Sequence, residues 1–394
     1  MRQTARRDFL RGGLAAAAIA CQGTTRRANS CQGNDRGAPD QRDPNGAGPN
    51  GAAPNGAGPN GGDRPESGTA PTAAWFLIGD THYFAVESSS NELDPRSDAA
   101  CKGLIETMNL LPGTVLPESV GGGHVAQIQG VIHAGDVIDT GDKRGVVREA
   151  MQQTEWDHYA ADFGLTGTDG RLRFPIYEVY GNHDSPSGEG LVIEALAERN
   201  RRRPNCSVST NGLHFSWDWD SLHCVNLGIV VGQDRTNPQR RRYNPMESLE
   251  FLIGDLKERV GDSGRPVLIT HHIDVVRYNK PCDVTSEANL GMEWNPCDVA
   301  AYYEAIRGYN IVAIQYGHTH VRNILRWNGT PEKSLDGIPL LNVDNGSHFS
   351  SGNQAFFYIE LHGQTLHVRE CATKDSWASH HWIPQVWKLP TAVS

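Results

Sequence analysis

The sequence predicts an α/β fold, a layered sandwich of two β-sheets with helices outside. Three observations predict it. Five short apolar runs, at 75–78, 128–132, 176–179, 267–269 and 311–314, each lead into a polar cluster. Largely apolar runs of this length suit strands buried on both faces. Helical stretches lie between several of these runs, and the C-terminal part reads as strand alone.

The expected helices, in chain order, are 99–111, 146–163, 191–201, 246–260 and 299–306. In the fourth, Leu249, Leu252 and Leu256 recur at the spacing of one helix face. Residues 213–231 read as two strands, alternating through His214-Phe215-Ser216-Trp217-Asp218-Trp219. The tail predicts strands at 339–343, 356–361 and 365–369, with His362-Gly363 at a hairpin turn. His380-His381, set among Trp377, Trp382 and Trp387, reads as part of a docked tail. Five strand–helix units with extra strands fit one layered domain over 74–394.

The first 73 residues follow a different pattern. Residues 1–21 carry Arg2, Arg6, Arg7 and Arg11, then a small and apolar run to Ala20. That run is too short to cross a bilayer and has the layout of an export signal. Ala5-Arg6-Arg7-Asp8-Phe9-Leu10-Arg11 resembles a twin-arginine signal. Ala18-Ile19-Ala20-Cys21 resembles a lipoprotein processing site, with Ala18 where leucine is usual. Simple cleavage and a lipid on Cys21 both stay open, and the expected location is the periplasm or the cell surface. Residues 22–73 hold no Val, Ile, Leu, Met, Phe, Trp or Tyr, and Pro-Asn-Gly recurs from Pro44, Pro49, Pro54 and Pro59. Such a segment cannot bury enough apolar surface to offset its ordering entropy, so it reads as a disordered tether.

Composition narrows the function classes. Lys and Arg number 36 against 46 Asp and Glu, a net charge of −10, where specific nucleic-acid binders carry a basic face. No run of 18 apolar residues exists, which excludes a polytopic membrane protein. Cys282 and Cys297 would close a short loop, and Cys206 and Cys224 flank a hairpin-like stretch. Export permits these to be disulfides, with buried free thiols the alternative.

The polar clusters carry the chemistry. They are Gly79-Asp80-Thr81-His82, Gly135-Asp136-Val137-Ile138-Asp139, Gly181-Asn182-His183-Asp184, His271-His272 and Gly317-His318-Thr319-His320. Ligand sites in open α/β sheets form outside the carboxyl ends of strands, so the clusters should meet at one rim. Asp and His suit borderline metals, and a carboxylate can bridge two of them. Asp80 with His82, and His318 with His320, each stand on one side of an extended segment. Asp80, His82, Asp136, Asn182, His271, His318 and His320 exceed the four ligands of a structural zinc. They suit two ions about 3.5–4 Å apart, each with an open position.

In this order, the motifs over residues 80–320 resemble the calcineurin-like metallophosphoesterase superfamily. The resemblance implies a four-layer αββα sandwich around a dinuclear centre of divalent or trivalent ions (Mn, Fe, Zn or Co). It implies Asp80, His82 and His320 on one ion, Asn182, His271 and His318 on the other, and Asp136 bridging. His271 is preferred to His272 by its place in the family motif. The implied activity is hydrolysis of phosphate esters, with two cations acidifying a bridging water and clamping the phosphate oxygens. His183 is expected outside the metal shell, toward the phosphate oxygens or leaving group. Asp184 either favours its imidazolium or is a turn-forming acceptor. Asp139 is expected to orient a ligand or loop, and His133 to pack or do the same.

Departures narrow the subfamily. Purple acid phosphatases lack a histidine at the place of His82 and carry a metal-binding tyrosine in the second motif, which 135–139 lacks. Protein Ser/Thr phosphatases carry arginine after the second motif and glutamate ending the third, where Thr140 and Asp184 stand here. Phosphodiesterases, which are favoured, and broad phosphomonoesterases remain. A catalytically silent binding module would show ligand loss, and no ligand is missing. The expected partners are a phosphate-ester substrate and, through a lipidated Cys21, a membrane, with no specific nucleic-acid binding.

Overall fold

The computed structural model describes residues 70–391, apart from 234, 236, 238, 286–290, 332, 333 and 335. The expected signal with Cys21, and nearly all of the expected tether, lie outside the described residues. The elements begin with β1 (Ala73–Ile78), β2 (Ala85–Val86), β3 (Ser89–Leu93), α1 (Pro95–Leu110), β4 (Gly130–His133) and α2 (Val146–Phe163). Then come β5 (Ile176–Glu178), α3 (Leu191–Arg201), β6 (Ser207–Val208), β7 (Phe215–Trp219), β8 (Leu222–Asn226) and α4 (Ser248–Asp255). The rest are β9 (Val267–Thr270), α5 (Pro296–Ile306), β10 (Ile311–Tyr316), β11 (Asn323–Trp327), β12 (Ile338–Asn342), β13 (Gln354–His362), β14 (Thr365–Thr373), β15 (His381–Trp382) and β16 (Trp387–Pro390).

Among the described residues these strands form two seven-stranded mixed sheets and the β2–β3 hairpin. The first sheet runs β15-β14-β13-β1-β4-β5, with β16 also on β14, and β1, β4 and β5 are parallel. The second runs β11-β12-β10-β9-β8-β7-β6, with β8, β9, β10 and β12 parallel. Side chains alternate across β1 and show the layering. Trp75 and Leu77 join Phe215, Trp217, Leu268, Val312 and Phe357 between the sheets. Phe76 and Ile78 face the other way, onto Leu104, Ile105 and Met108 of α1. Both faces of the strand are buried, which is why its sequence is apolar throughout.

Helices cover the outer faces. In α2, Tyr159 lies 5.9 Å from the ring of His133 on β4. In α3, Arg199 meets the buried Glu178 of β5 at 2.6 Å. Across the molecule, Asp255 of α4 bonds His223 of β8 at 2.7 Å, and Tyr302 of α5 packs on Trp327 of β11. This is the expected αββα sandwich.

Two helices start earlier than expected, for one reason. Asp94 and Asn295 each accept a backbone N–H of the first turn, from Arg96 and Cys297, and a proline follows each at the first helical position. The expected helix 246–260 divides into α4 and a wide π turn over Leu256–Val260. Cys282 and Cys297 are disulfide-bonded, whereas Cys206 and Cys224 are free thiols. No helix among the described residues is long and apolar enough to cross a membrane.

Candidate metal centre

The site collects the loops that leave six parallel strands. Asp80 and His82 follow β1, Asp136 and Asp139 follow β4, and Asn182, His183 and Asp184 follow β5. From the second sheet, His272 follows β9, His318 and His320 follow β10, and His348 follows β12. Within each sheet the parallel strands point these ends the same way. The loops then turn sharply. Asp80, His82, Asp136, His318 and His320 have φ of 54°, 46°, 55°, 75° and 52°. Left-handed backbone at non-glycine residues costs about 1–3 kcal/mol each and persists where the surroundings impose it. Here they do. Asp80 N–H donates to Gly135 O at 2.9 Å, His82 N–H to Asp136 O at 3.2 Å, and Gly317 N–H to His272 O at 3.1 Å. Two glycines make room for carboxylates. A Cβ on Gly181 would stand 2.2 Å from Asp136 Oδ1, and one on Gly317 would stand 2.4 Å from Asp80 Oδ2.

Asp136 lies between two sets of donors. On one side are Asp80, His82 and Asp136; on the other are Asp136, His272 and His318, each set with its donor atoms within 4.8 Å of one another. His320 Nε2 joins the first side, 3.2 Å from His82 Nε2 and 3.3 Å from Asp80 Oδ1. Asn182 Oδ1 joins the second, 3.1 Å from His272 Nε2, which is also 3.1 Å from Asp136 Oδ2. The outer ring nitrogens are already engaged. His272 Nδ1 donates to Ala134 O at 2.7 Å, His82 Nδ1 to Asp139 Oδ1 at 3.2 Å, and His318 Nε2 to Glu293 Oε1 at 2.9 Å. Such bonds fix the tautomer and leave the other nitrogen free to ligate. The set is carboxylate, amide and imidazole without thiolate, and it fits first-row divalent ions.

Electrostatics point the same way. Burial opposes a charge on His272, but Asp136 and Asp80 outweigh it and lift the imidazole to about 9. Asp136 is held well below the usual carboxylate range, against burial, chiefly by His272. Asp80 is likewise lowered against burial, chiefly by His320, whose own value Asp80 raises. The pull of Asp136 and Asp80 on His272 and His320 thus marks where a cation held by the same atoms would neutralise the carboxylates.

Asp80, His82, Asp136, Asn182, His318 and His320 come together as the sequence suggested, and two expectations are corrected. His271 is not in the cluster. It is fully buried among Trp294, Tyr302 and Tyr316, at ring distances of 5.2, 5.8 and 5.9 Å, and burial pushes it down to about 3. Its neighbour His272 takes the place, because adjacent residues of an extended segment face opposite sides. Asp184 does not act on His183. Its carboxylate accepts the N–H groups of Gly181 at 2.7 Å, Val137 at 3.0 Å and Ile138 at 3.0 Å. It is the turn-forming acceptor, buried and raised to about 7 by burial and then by Asp136.

His183 stands at the edge of the centre, its ring 4.8 Å from that of His82. Its N–H donates to Asp136 Oδ1 at 2.7 Å, and its Nδ1 lies 3.2 Å from Asp139 O. Asp139 bonds His82 and also pairs with Lys143 at 2.8 Å. His133 is a buried loop support. Gly135 N–H donates to its Nδ1 at 3.2 Å, and its Nε2 lies 2.9 Å from Thr81 Oγ1.

Two further residues belong here. His348 packs at 4.6 Å from His82 and 5.1 Å from His320, ring to ring, and burial with these two neighbours pushes it down to about 4. Its signal was present, since Asp344-Asn345-Gly346-Ser347-His348 follows an apolar strand as the other clusters do. Glu293 lies between β9 and α5, in a stretch with no periodicity to read.

The model of the family described as calcineurin-like phosphoesterase matches residues 76–322. Solved structures similar to this chain include a dimetal phosphatase from Danio rerio, at 13 % identity over 82 % of this chain and 100 % of its own, TM-score 0.48. A second is GAP50, the anchor in the inner membrane complex of Plasmodium, at 11 % identity over 82 % of this chain and 89 % of its own, TM-score 0.43. A predicted phosphoesterase from Streptococcus pneumoniae has 11 % identity over 81 % and 97 %, TM-score 0.29. No curated protein matches the chain.

Proposed function

Since this chain belongs to the calcineurin-like phosphoesterase family, and is thus a metal-dependent hydrolase of phosphoric esters, we propose that it uses a dinuclear centre and favours phosphodiesters. The observation that carries the dinuclear reading is Asp136, shared by two buried donor sets. Asp80, His82, His320 and Asp136 would hold one ion, and Asp136, Asn182, His272 and His318 the other. Bound ions, with Mn, Fe, Zn and Co as candidates, would acidify water and clamp phosphate oxygens.

The chain's own residues then do three things. Backbone strain and the outer hydrogen bonds of His82, His272 and His318 keep the donors aimed before any ion arrives. Asp184 keeps the Asp136 and Asn182 loops in register through their amides. His183 is the proton carrier. Burial works against its charge, but Asp136, Asp139 and Asp142 outweigh it and hold the imidazole above its ordinary value. With Nδ1 turned to Asp139 O, Nε2 is the atom that would donate to a leaving oxygen. The preference for diesters rests on His82, Thr140 and Asp184, which stand where monoester-cleaving branches of the family carry other residues.

We further propose export by the twin-arginine route to the periplasm or cell surface, with Cys21 as a lipid anchor. Arg6-Arg7 and the apolar run before Cys21 support this, as does the Cys282–Cys297 disulfide, since oxidising compartments favour such bonds. The catalytic reading is tested by assaying the protein with Mn(II), Fe(II), Zn(II) or Co(II) on bis(p-nitrophenyl) phosphate and p-nitrophenyl phosphate. Cleavage is expected, with the higher kcat/KM on the diester. No cleavage of either compound with any of the four metals would sink the proposal.

A further inference from the structure

Beside the metal centre, one carboxylate oxygen connects a ligand to the protein surface. Glu293 Oε1 accepts from His318 Nε2 at 2.9 Å and stands 3.8 Å from Arg242 Nη1. The other oxygen of Glu293 is bonded by Arg277 Nε. Glu293 itself is nearly buried, whereas the side chains of Arg242 and Arg277 are 45 % and 43 % exposed. Two half-exposed guanidiniums therefore share the Glu293 carboxylate, with the carboxyl of Asp274 also within electrostatic reach of Arg277. An exposed ion pair as long as that of Arg242 contributes little to stability, so folding does not explain its placement.

The ground beneath these arginines is built. Neighbouring Arg241 is clamped to the buried Asp298 of α5 at 2.6 Å and 3.0 Å. Asn244 ties the same segment to the loop after His183, through Pro186 O at 3.4 Å and Ser187 O at 3.3 Å. The segment that carries Arg277 and Glu293 is stapled to the start of α5 by the Cys282–Cys297 disulfide. Arg242 lies 5.2 Å over the ring of Tyr243, a buried residue that is itself within electrostatic reach of Asp136. A shallow groove lined by Pro186, Ser187, Arg240, Arg242, Tyr243 and Asn244 runs alongside.

Resting on the phosphoesterase reading, we infer that Arg242 and Arg277 bind a second phosphate group of the substrate, so that the preferred substrates are phosphate esters carrying two phosphates. A guanidinium fork matches phosphate oxygens two at a time, and it keeps its charge at any working pH. The phosphate that is cleaved would lie at the ions that the donors around Asp136 would hold. The second one draws Arg242 off its long pair with Glu293, while Glu293 keeps its bond to His318. Arg242 and Arg277 are specificity residues, and they take no part in bond breaking.

The test uses the whole metal-loaded protein and two substrate pairs, each differing by one phosphate. One is thymidine 5′-(p-nitrophenyl phosphate) with and without a 3′-phosphate; the other is glucose 1,6-bisphosphate against glucose 1-phosphate. The second phosphate is expected to raise kcat/KM about tenfold or more in at least one pair, through KM, as charge-assisted hydrogen bonds do. In Arg242→Ala that preference should collapse, and Arg242→Lys should restore part of it. Arg307→Ala, a change in an exposed pair with Glu304, should keep it. If the compounds with one phosphate are cleaved but the second phosphate brings no preference, or the preference survives in Arg242→Ala, the inference is overturned and the proposed function stands. If nothing is cleaved with any metal, it is the phosphoesterase reading that fails.

Discussion

Asp184→Ala separates a clamp from a catalyst. The carboxylate is 2 % exposed. It accepts from Gly181 N–H at 2.7 Å, Val137 N–H at 3.0 Å and Ile138 N–H at 3.0 Å. Alanine leaves three buried donors without an acceptor, at about 1–3 kcal/mol each, and loop relaxation with entering water recovers part. A loss of about 3–5 kcal/mol is expected, a large share of the ~5–15 kcal/mol that holds a typical domain. Urea denaturation followed by tryptophan fluorescence measures it, in EDTA so that metal binding does not add to native stability. Asp184→Asn keeps one acceptor oxygen but turns an NH₂ toward the amides, so its midpoint should fall between the two. At a temperature where Asp184→Ala stays folded, metal affinity should drop more than kcat at saturating metal. A wild-type urea midpoint together with a collapsed kcat would refute the clamp and return Asp184 to the chemistry.

Three other outcomes follow from the same structure. His272→Ala should lose at least about 100-fold in activity, since even outer-shell partners of a metal site carry 10–100-fold, while His271→Phe should keep activity within about threefold; the reverse order would show that the site had been built on the wrong histidine. Glu178 is fully buried between Arg199 and Arg203, which outweigh burial and lower its carboxyl to about 2. That stabilisation is fully present above the unfolded value of about 4.5 and is lost as pH falls from there toward 2, so denaturation midpoints should drop over that window and the slope should flatten in Glu178→Gln, with an unchanged slope speaking against the pairing. The Cys282–Cys297 disulfide closes a loop of sequence separation 15, so the double serine variant should lose about 3 kcal/mol by loop-closure entropy, and a wild-type midpoint would show that the loop is held by other contacts.

The strands and most ligands were legible because their signals are local. A doubly buried strand writes itself as an apolar run, and the glycine before each ligand is required where Gly181 and Gly317 meet carboxylates. The choice between His271 and His272 was not local. It depends on which side of β9 faces the opposite sheet's loops, and family position pointed the wrong way. Asp184 beside His183 fits a charge pair or a turn acceptor equally in sequence, and the turn decides by aiming its carboxylate back at the amides of 137, 138 and 181. The starts of α1 and α5 are written in Asp94-Pro95 and Asn295-Pro296, a turn before the apolar periodicity begins. Glu293 reaches the centre, with Arg277 behind it, from an irregular loop fixed by a disulfide, and nothing in their neighbours' spacing encodes that.

The shared position of Asp136 is tested most directly by Mn(II) titration read by electron paramagnetic resonance. Wild-type protein should bind two ions per chain and show an exchange-coupled spectrum, and Asp136→Asn should lose the coupling and weaken at least one ion. One ion per chain, or two that remain uncoupled in the wild type, would contradict the dinuclear centre.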